Sequence, residues 1–179
     1  MCKKTIVGIF LLIISVNLPV IAQDMKHPII KNYGGIYAIP EATVLPDTEL
    51  IYKVVIDLYS GAESPEKLNP ALNNVARMIN LHAIGGAKKK MEVVLAIHGK
   101  ANDIVMSNKP YFNRYGVNNP NIDLIRDLKE AGVKLVVCGQ SLLASQVAPS
   151  EVLPEIEVAT SMLTTVTTYQ LKGFAFLAF

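Results

Sequence analysis

Three short runs, Val54-Val55-Ile56, Val93 to Ile97 and Val133 to Val137, are continuously apolar and rich in β-branched residues. A strand with one wet face alternates apolar and polar residues, so a run without alternation is buried on both faces. Such strands belong to a parallel sheet, because parallel neighbours need long crossovers that lay helices over the sheet. The intervening segments fit this. Leu68, Leu72, Val75, Ala76 and Ile79 recur at helical spacing, with Asn69, Asn73, Arg77 and Asn80 set for the other face and Gly85-Gly86 as the stop. Asn119 and Pro120 suit the N-cap and first position of a second helix. Ile122, Ile125 and Leu128 form its sheet-facing side, and Gly132 fits its C′ position.

The rest of the chain continues the alternation. A short helix to Val147, a loop with Pro149 and Pro154, a strand at Ile156 to Val158, a helix from Ser161 to Leu171 and a last strand from Phe174 to Phe179 are expected. The predicted fold is a three-layer α/β/α domain with a mainly parallel sheet of about five strands and right-handed crossovers. The final strand carries no charge to protect an edge, so it should be central or covered by another subunit. Ala101 to Asn118 holds Met106, Tyr111, Phe112, Arg114 and Tyr115, and reads either as a lid or interface loop or as a short helix on its own domain.

Residues 1–22 read as a cleavable signal peptide. Lys3 and Lys4 precede an apolar core, Thr5 to Leu18, which Pro19 and the small-residue pattern Val20-Ile21-Ala22 close. That core is too short and interrupted for a comfortable span, and Cys2 precedes it, where no lipoprotein attachment site would lie. The protein is therefore expected to be exported, periplasmic in a Gram-negative cell, with no membrane span after cleavage. Residues 23–51, broken by Pro28, Gly34, Gly35, Pro40 and Pro46, read as an extended arm with one short strand near Ile36 to Ile39. Residues 52–179 form the domain. Of the 17 basic residues, Lys3 and Lys4 precede the first acidic one, Asp24, which leaves 15 basic against 15 acidic. No basic face recommends a nucleic-acid partner. Lys88-Lys89-Lys90 reads as a solvated turn.

Chemistry concentrates where such sheets place it, at the carboxyl ends of the strands. Cys138, the sole cysteine once the leader is removed, ends the third run and precedes Gly139-Gln140-Ser141 and a helix start, whose free N–H groups favour a thiolate. His98 ends the second run and is placed to accept the thiol proton or stabilise the thiolate. The polar stretch Ser60 to Ser64 lacks phosphate-loop spacing and reads as an ordinary connection. Three scattered histidines, His27, His82 and His98, and one cysteine make no metal site, and no cofactor motif is present.

Val54-Val55-Ile56-Asp57-Leu58, Ala96-Ile97-His98-Gly99 and Val137-Cys138-Gly139-Gln140-Ser141, together with Tyr169, Gln170, Gly173 and the apolar tail, resemble the DsrE/DsrF-like proteins over Tyr52 to Phe179. The resemblance implies a compact α/β fold that assembles into trimers or hexamers. It also implies, for some members, sulfur relay through a persulfide on a cysteine, between a donor and an acceptor protein. That cysteine matches Cys138; His98 and Gly99 match the histidine-glycine pair, and Gly99, Gly139, Gln140 and Ser141 would line the substrate site. The alternative is a non-catalytic oligomeric module that binds a small ligand in the same cleft. A cysteine hydrolase or redox enzyme is the third possibility.

Overall fold

The computed structural model describes residues 24–87 and 91–179. The signal segment expected at 1–22 and the Lys88-Lys89-Lys90 turn lie outside the described residues. Five strands, β1 (Lys53–Leu58), β2 (Glu92–Ile97), β3 (Lys134–Cys138), β4 (Glu157–Ala159) and β5 (Ala175–Ala178), form one parallel sheet in the order β4-β3-β2-β1-β5. Helices α1 (Pro70–Ile84), α2 (Asn108–Tyr115), α3 (Ile122–Glu130), α4 (Gly139–Ala144) and α5 (Met162–Leu171) make the crossovers. The architecture is the predicted α/β one.

The two faces of the sheet are covered unequally. Val54, Ile56, Leu58, Val93, Leu95, Ile97, Leu135 and Val137 point into the main core with α1 and α3. Val55, Val94, Ala96 and Val136 face the other way, where Val166 of α5 packs on them. The chain steps one way from β1 to β4 and then returns through α5 to place β5 beside β1. Right-handed crossovers in opposite directions put their helices on opposite faces.

Several expectations change. The final strand is an exposed edge of the described chain: it pairs with β1 and leaves Phe176 and Leu177 open to solvent. Of the two expectations for this uncharged strand, central or covered by another subunit, the pairing order overturns the first, since strand order is a tertiary property. Ile36 to Ile39 form no strand; Ile36 makes a single antiparallel bridge to Lys26. The Ala101 to Asn118 stretch is a 3₁₀ turn over Gly99–Val105 followed by α2, with Tyr111 buried and Phe112 exposed. α3 starts two residues later than the Asn119 cap suggests. The Asn119 side chain still accepts from the Asn121 N–H, while its amide group donates to Ile104 and Met106 carbonyls and holds the preceding loop.

Asn69 and Asn80, read as outward-facing, are fully buried. Asn69 caps α1 by accepting from the Leu72 N–H. Asn80 fastens the arm: its oxygen accepts from the Ile29 and Ile30 N–H groups, and its NH₂ reaches the carbonyls of Ile30, Tyr33 and Gly34. The arm therefore wraps its own domain through Ile30 and Ile36, both in the core. Backbone groups buried this way need partners, and Asn80 supplies them. Asn80→Ala should lower the unfolding free energy by about 3 kcal/mol and open residues 28–36 to protease. Urea unfolding and limited proteolysis check this; a loss below about 1 kcal/mol would mean water substitutes for the amide.

Candidate functional site at the carboxyl ends of three strands

The register decides which side chains meet. Asp57 pairs with Ala96, and Ala96 pairs with Val136, so these positions share the α5 face. Side chains alternate along a strand, so His98 and Cys138, each two residues further on, share it too. Asp57, His98 and Cys138 thus come from three adjacent strands to one end of one face.

Cys138 is a free, buried thiol at the N-cap of α4. Burial pushes its pKa up, but four donors outweigh that: the backbone N–H of Met162, the Ser141 hydroxyl, and the N–H groups of Ser141 and Gln140. The result lies below the ordinary thiol value, because each donor favours the thiolate. Two of these N–H groups lie in the first turn of α4, and Met162 is the first residue of α5, which Ser161 caps by accepting from the Leu163 N–H. Ser141 serves two strand ends. Its Oγ accepts from the Gly99 N–H at 3.3 Å, which leaves its own proton for the sulfur. Gly139 starts α4 under tight constraint, since a Cβ there would lie 2.8 Å from the Ala159 carbonyl oxygen.

His98 is held from two sides. Its Nε2 pairs closely with Asp57 Oδ1, and the Tyr59 ring packs at 5.3 Å between centroids. Both partners of this hydrogen bond are mostly buried, with His98 at 14% and Asp57 at 21% side-chain exposure. Tyr59 can close this far only because residue 99 is glycine at φ +58°; a Cβ there would strike the Tyr59 ring at 2.3 Å. Asn102, also buried, reaches Ser145 Oγ at 2.5 Å and Ser141 O at 3.5 Å and anchors α4. Arg114 of α2 adds bonds to the Asp103 carboxylate and to the carbonyls of Ser145 and Gln146. Tyr115 bonds Asp103 as well, and burial together with that carboxylate pushes its phenol up to about 12.

All six predicted site residues therefore lie at one edge. Gln140 and Ser141 surround the sulfur, Gly99 and Gly139 shape the backbone beside it, and His98 engages Asp57. Asp57, Tyr59, Asn102 and Met162 were missed. A solitary carboxylate within the apolar run Val54 to Leu58 was the one readable signal among them. Clefts of about 420 and 470 Å³ open at the opposite end, near His82 and the arm, and neither is lined by His98 or Cys138. Among the described residues no group of three or more His, Cys, Asp or Glu could hold a metal ion. Nor is any described helix long and apolar enough to cross a membrane.

The model of the DsrE/DsrF-like family matches residues 53–179. The chain belongs to that family. No curated protein sequence matches it. Among solved structures it is similar to MTH1491 of Methanobacterium thermoautotrophicum, a protein of unknown function, at 17% identity and TM-score 0.52, over 71% of this chain and 98% of that one. The YchN protein of E. coli is similar at 16% identity and TM-score 0.53, over 72% and 99%. At these identities the likeness is one of fold. The arm before residue 53 lies outside the family match.

The donors around Cys138 generate a prediction. Its alkylation rate against pH should show an apparent pKa below the free-cysteine value of about 8.5, and Ser141→Ala should move it upward. Iodoacetamide rates followed by mass spectrometry check both. A native rate equal to that of the unfolded chain would contradict the site's electrostatics.

Proposed function

We propose that this is an exported DsrE-like sulfur carrier, in which Cys138 accepts sulfane sulfur as a persulfide and passes it on. The observation that carries the reading is the ring of donors around Cys138, which favours the thiolate at the carboxyl end of β3. Membership of the DsrE/DsrF-like family supports the same chemistry. The thiolate attacks the sulfane sulfur of a persulfide or polysulfide, a new S–S bond forms, and the donor's thiolate leaves. Sulfur stays at one oxidation level throughout, so the transfer needs no external oxidant or reductant. His98 and the backbone at Gly99, Gly139, Gln140 and Ser141 would border the incoming sulfur. Export through the leader at residues 1–22 would place this carrier among periplasmic or extracellular sulfur compounds.

Incubating the processed protein with inorganic polysulfide should add the mass of one sulfur atom to the chain, removable by a reducing thiol and lost in Cys138→Ser. An unchanged mass at full thiol accessibility would overturn the carrier reading.

The carrier is further proposed to be a homotrimer with closed symmetry. Supporting this are the bare edge strand with Phe176 and Leu177, the outward Leu163 and Leu171 of α5, and the exposed Val44 and Leu45 of the arm. Sedimentation at micromolar concentration should find a trimer; a clean monomer would count against it.

A further inference from the structure

We propose that Asp57 is a positioning residue for the chemistry of Cys138: by occupying Nε2 of His98, it sets that imidazole to protonate the thiolate expelled when Cys138 takes up sulfur. The inference rests on the carrier reading above and adds a proton donor to it.

Asp57 is an unexpected residue at its position. Val55, Ile56 and Leu58 around it are buried, and β1 is flanked by β2 and β5 on both sides. A carboxylate placed in such a strand loses hydration and must recover it from a partner. The partner its side chain has among the described residues is His98. The pair fixes the ring in two respects. It assigns Nε2 to the carboxylate, and it directs the other nitrogen, Nδ1, away from β1. Tyr59 closes a second side of the ring, and Gly99 supplies the room for it. An imidazole oriented by a carboxylate on one nitrogen and open on the other is the arrangement that moves protons at a defined atom.

The division of labour follows from the donors at the sulfur. Cys138 is already favoured as a thiolate by Met162, Ser141 and Gln140, so its deprotonation does not call for the histidine. Half of the transfer is left without a helper: the departing thiolate of the donor. In the step proposed, Cys138 Sγ forms a bond to the sulfane sulfur of R–S–SH, the S–S bond of the donor breaks with its electron pair on R–S⁻, and the proton on His98 Nδ1 passes to R–S⁻. The products are the Cys138 persulfide and R–SH, and water then returns a proton to His98. His98 directly follows β2, beside β3 and on the same face as Cys138, the side to which the proposal assigns the leaving group.

General-acid help matters for a basic leaving thiolate and hardly at all for a weakly basic one. The test is disulfide exchange at Cys138 with two probes, an aromatic nitrothiobenzoate disulfide and hydroxyethyl disulfide, in the wild type, Asp57→Asn and His98→Gln. The aromatic probe should react within about twofold in all three proteins. The alkyl probe should slow by at least about tenfold in both variants. Equal slowing with both probes would mean that the pair merely supports the fold, and an unchanged alkyl rate in Asp57→Asn would remove the positioning role; either overturns the inference and leaves the carrier reading standing. A wild-type thiol inert to both probes would overturn the carrier reading, and the inference with it. His98→Gln gives the same comparison should Asp57→Asn fail to fold.

Discussion

The parallel register of β1, β2 and β3 is the constraint on which the site depends. Because side chains alternate with a period of two, fixing Asp57 against Ala96 and Ala96 against Val136 decides the facing of every residue beyond. A slip by one residue would send His98 and Cys138 to opposite faces and turn the core residues Ile56, Leu95 and Val137 outward. The register is held by the main core on one side, where Leu58, Ile97 and Leu135 are completely buried. The apolar face thus specifies the positions of polar groups on the face it does not touch.

The unequal covering of the sheet explains why chemistry sits where it does. α1 and α3 close one face, whereas α5 alone lies over the other and packs on β1 and β2. The return crossover from β4 brings the start of α5 close to the end of β3, and the Met162 N–H to the sulfur. The sparse face leaves room at its carboxyl end for a thiol, an imidazole and a carboxylate. A second full layer there would bury them beyond reach. The same sparseness leaves Leu163, Leu171 and the edge strand exposed.

Much of the fold was legible because it rests on local pattern. Unbroken β-branched runs marked β1, β2 and β3, and helical spacing with glycine stops marked α1 and α3. Cys138 and His98 could be placed at one edge from their positions at strand ends alone. What was not legible depended on partners far along the chain. The facing of Asn80 follows from arm carbonyls 46 to 50 residues away, which no periodicity records. The edge position of β5 follows from the order of pairing, and the pairing of His98 with Asp57 from the register of two strands 41 residues apart. Asp57 was visible as an anomaly, yet its meaning needed the third dimension.

Asparagine is the residue that converts this fold into a stable edge. Among the described residues, five of the six buried polar ones are asparagines, and four of them, Asn69, Asn102, Asn119 and Asn121, stand among the loops near the carboxyl ends of the strands. Asn121 accepts from the Asn69 N–H, Asn69 donates to the Ser60 carbonyl, and Asn119 bonds both Asn121 and the loop carbonyls of Ile104 and Met106. One primary amide carries both donors and acceptors, so it can satisfy the unpaired backbone of two loops at once without bringing a charge near the thiol. A lysine or arginine in those places would fasten the loops equally well, but its field would compete with the Asp57–His98 pair. Fastening these loops through neutral amides leaves the Asp57 carboxylate paired with His98, the contact through which a carboxylate can orient an imidazole.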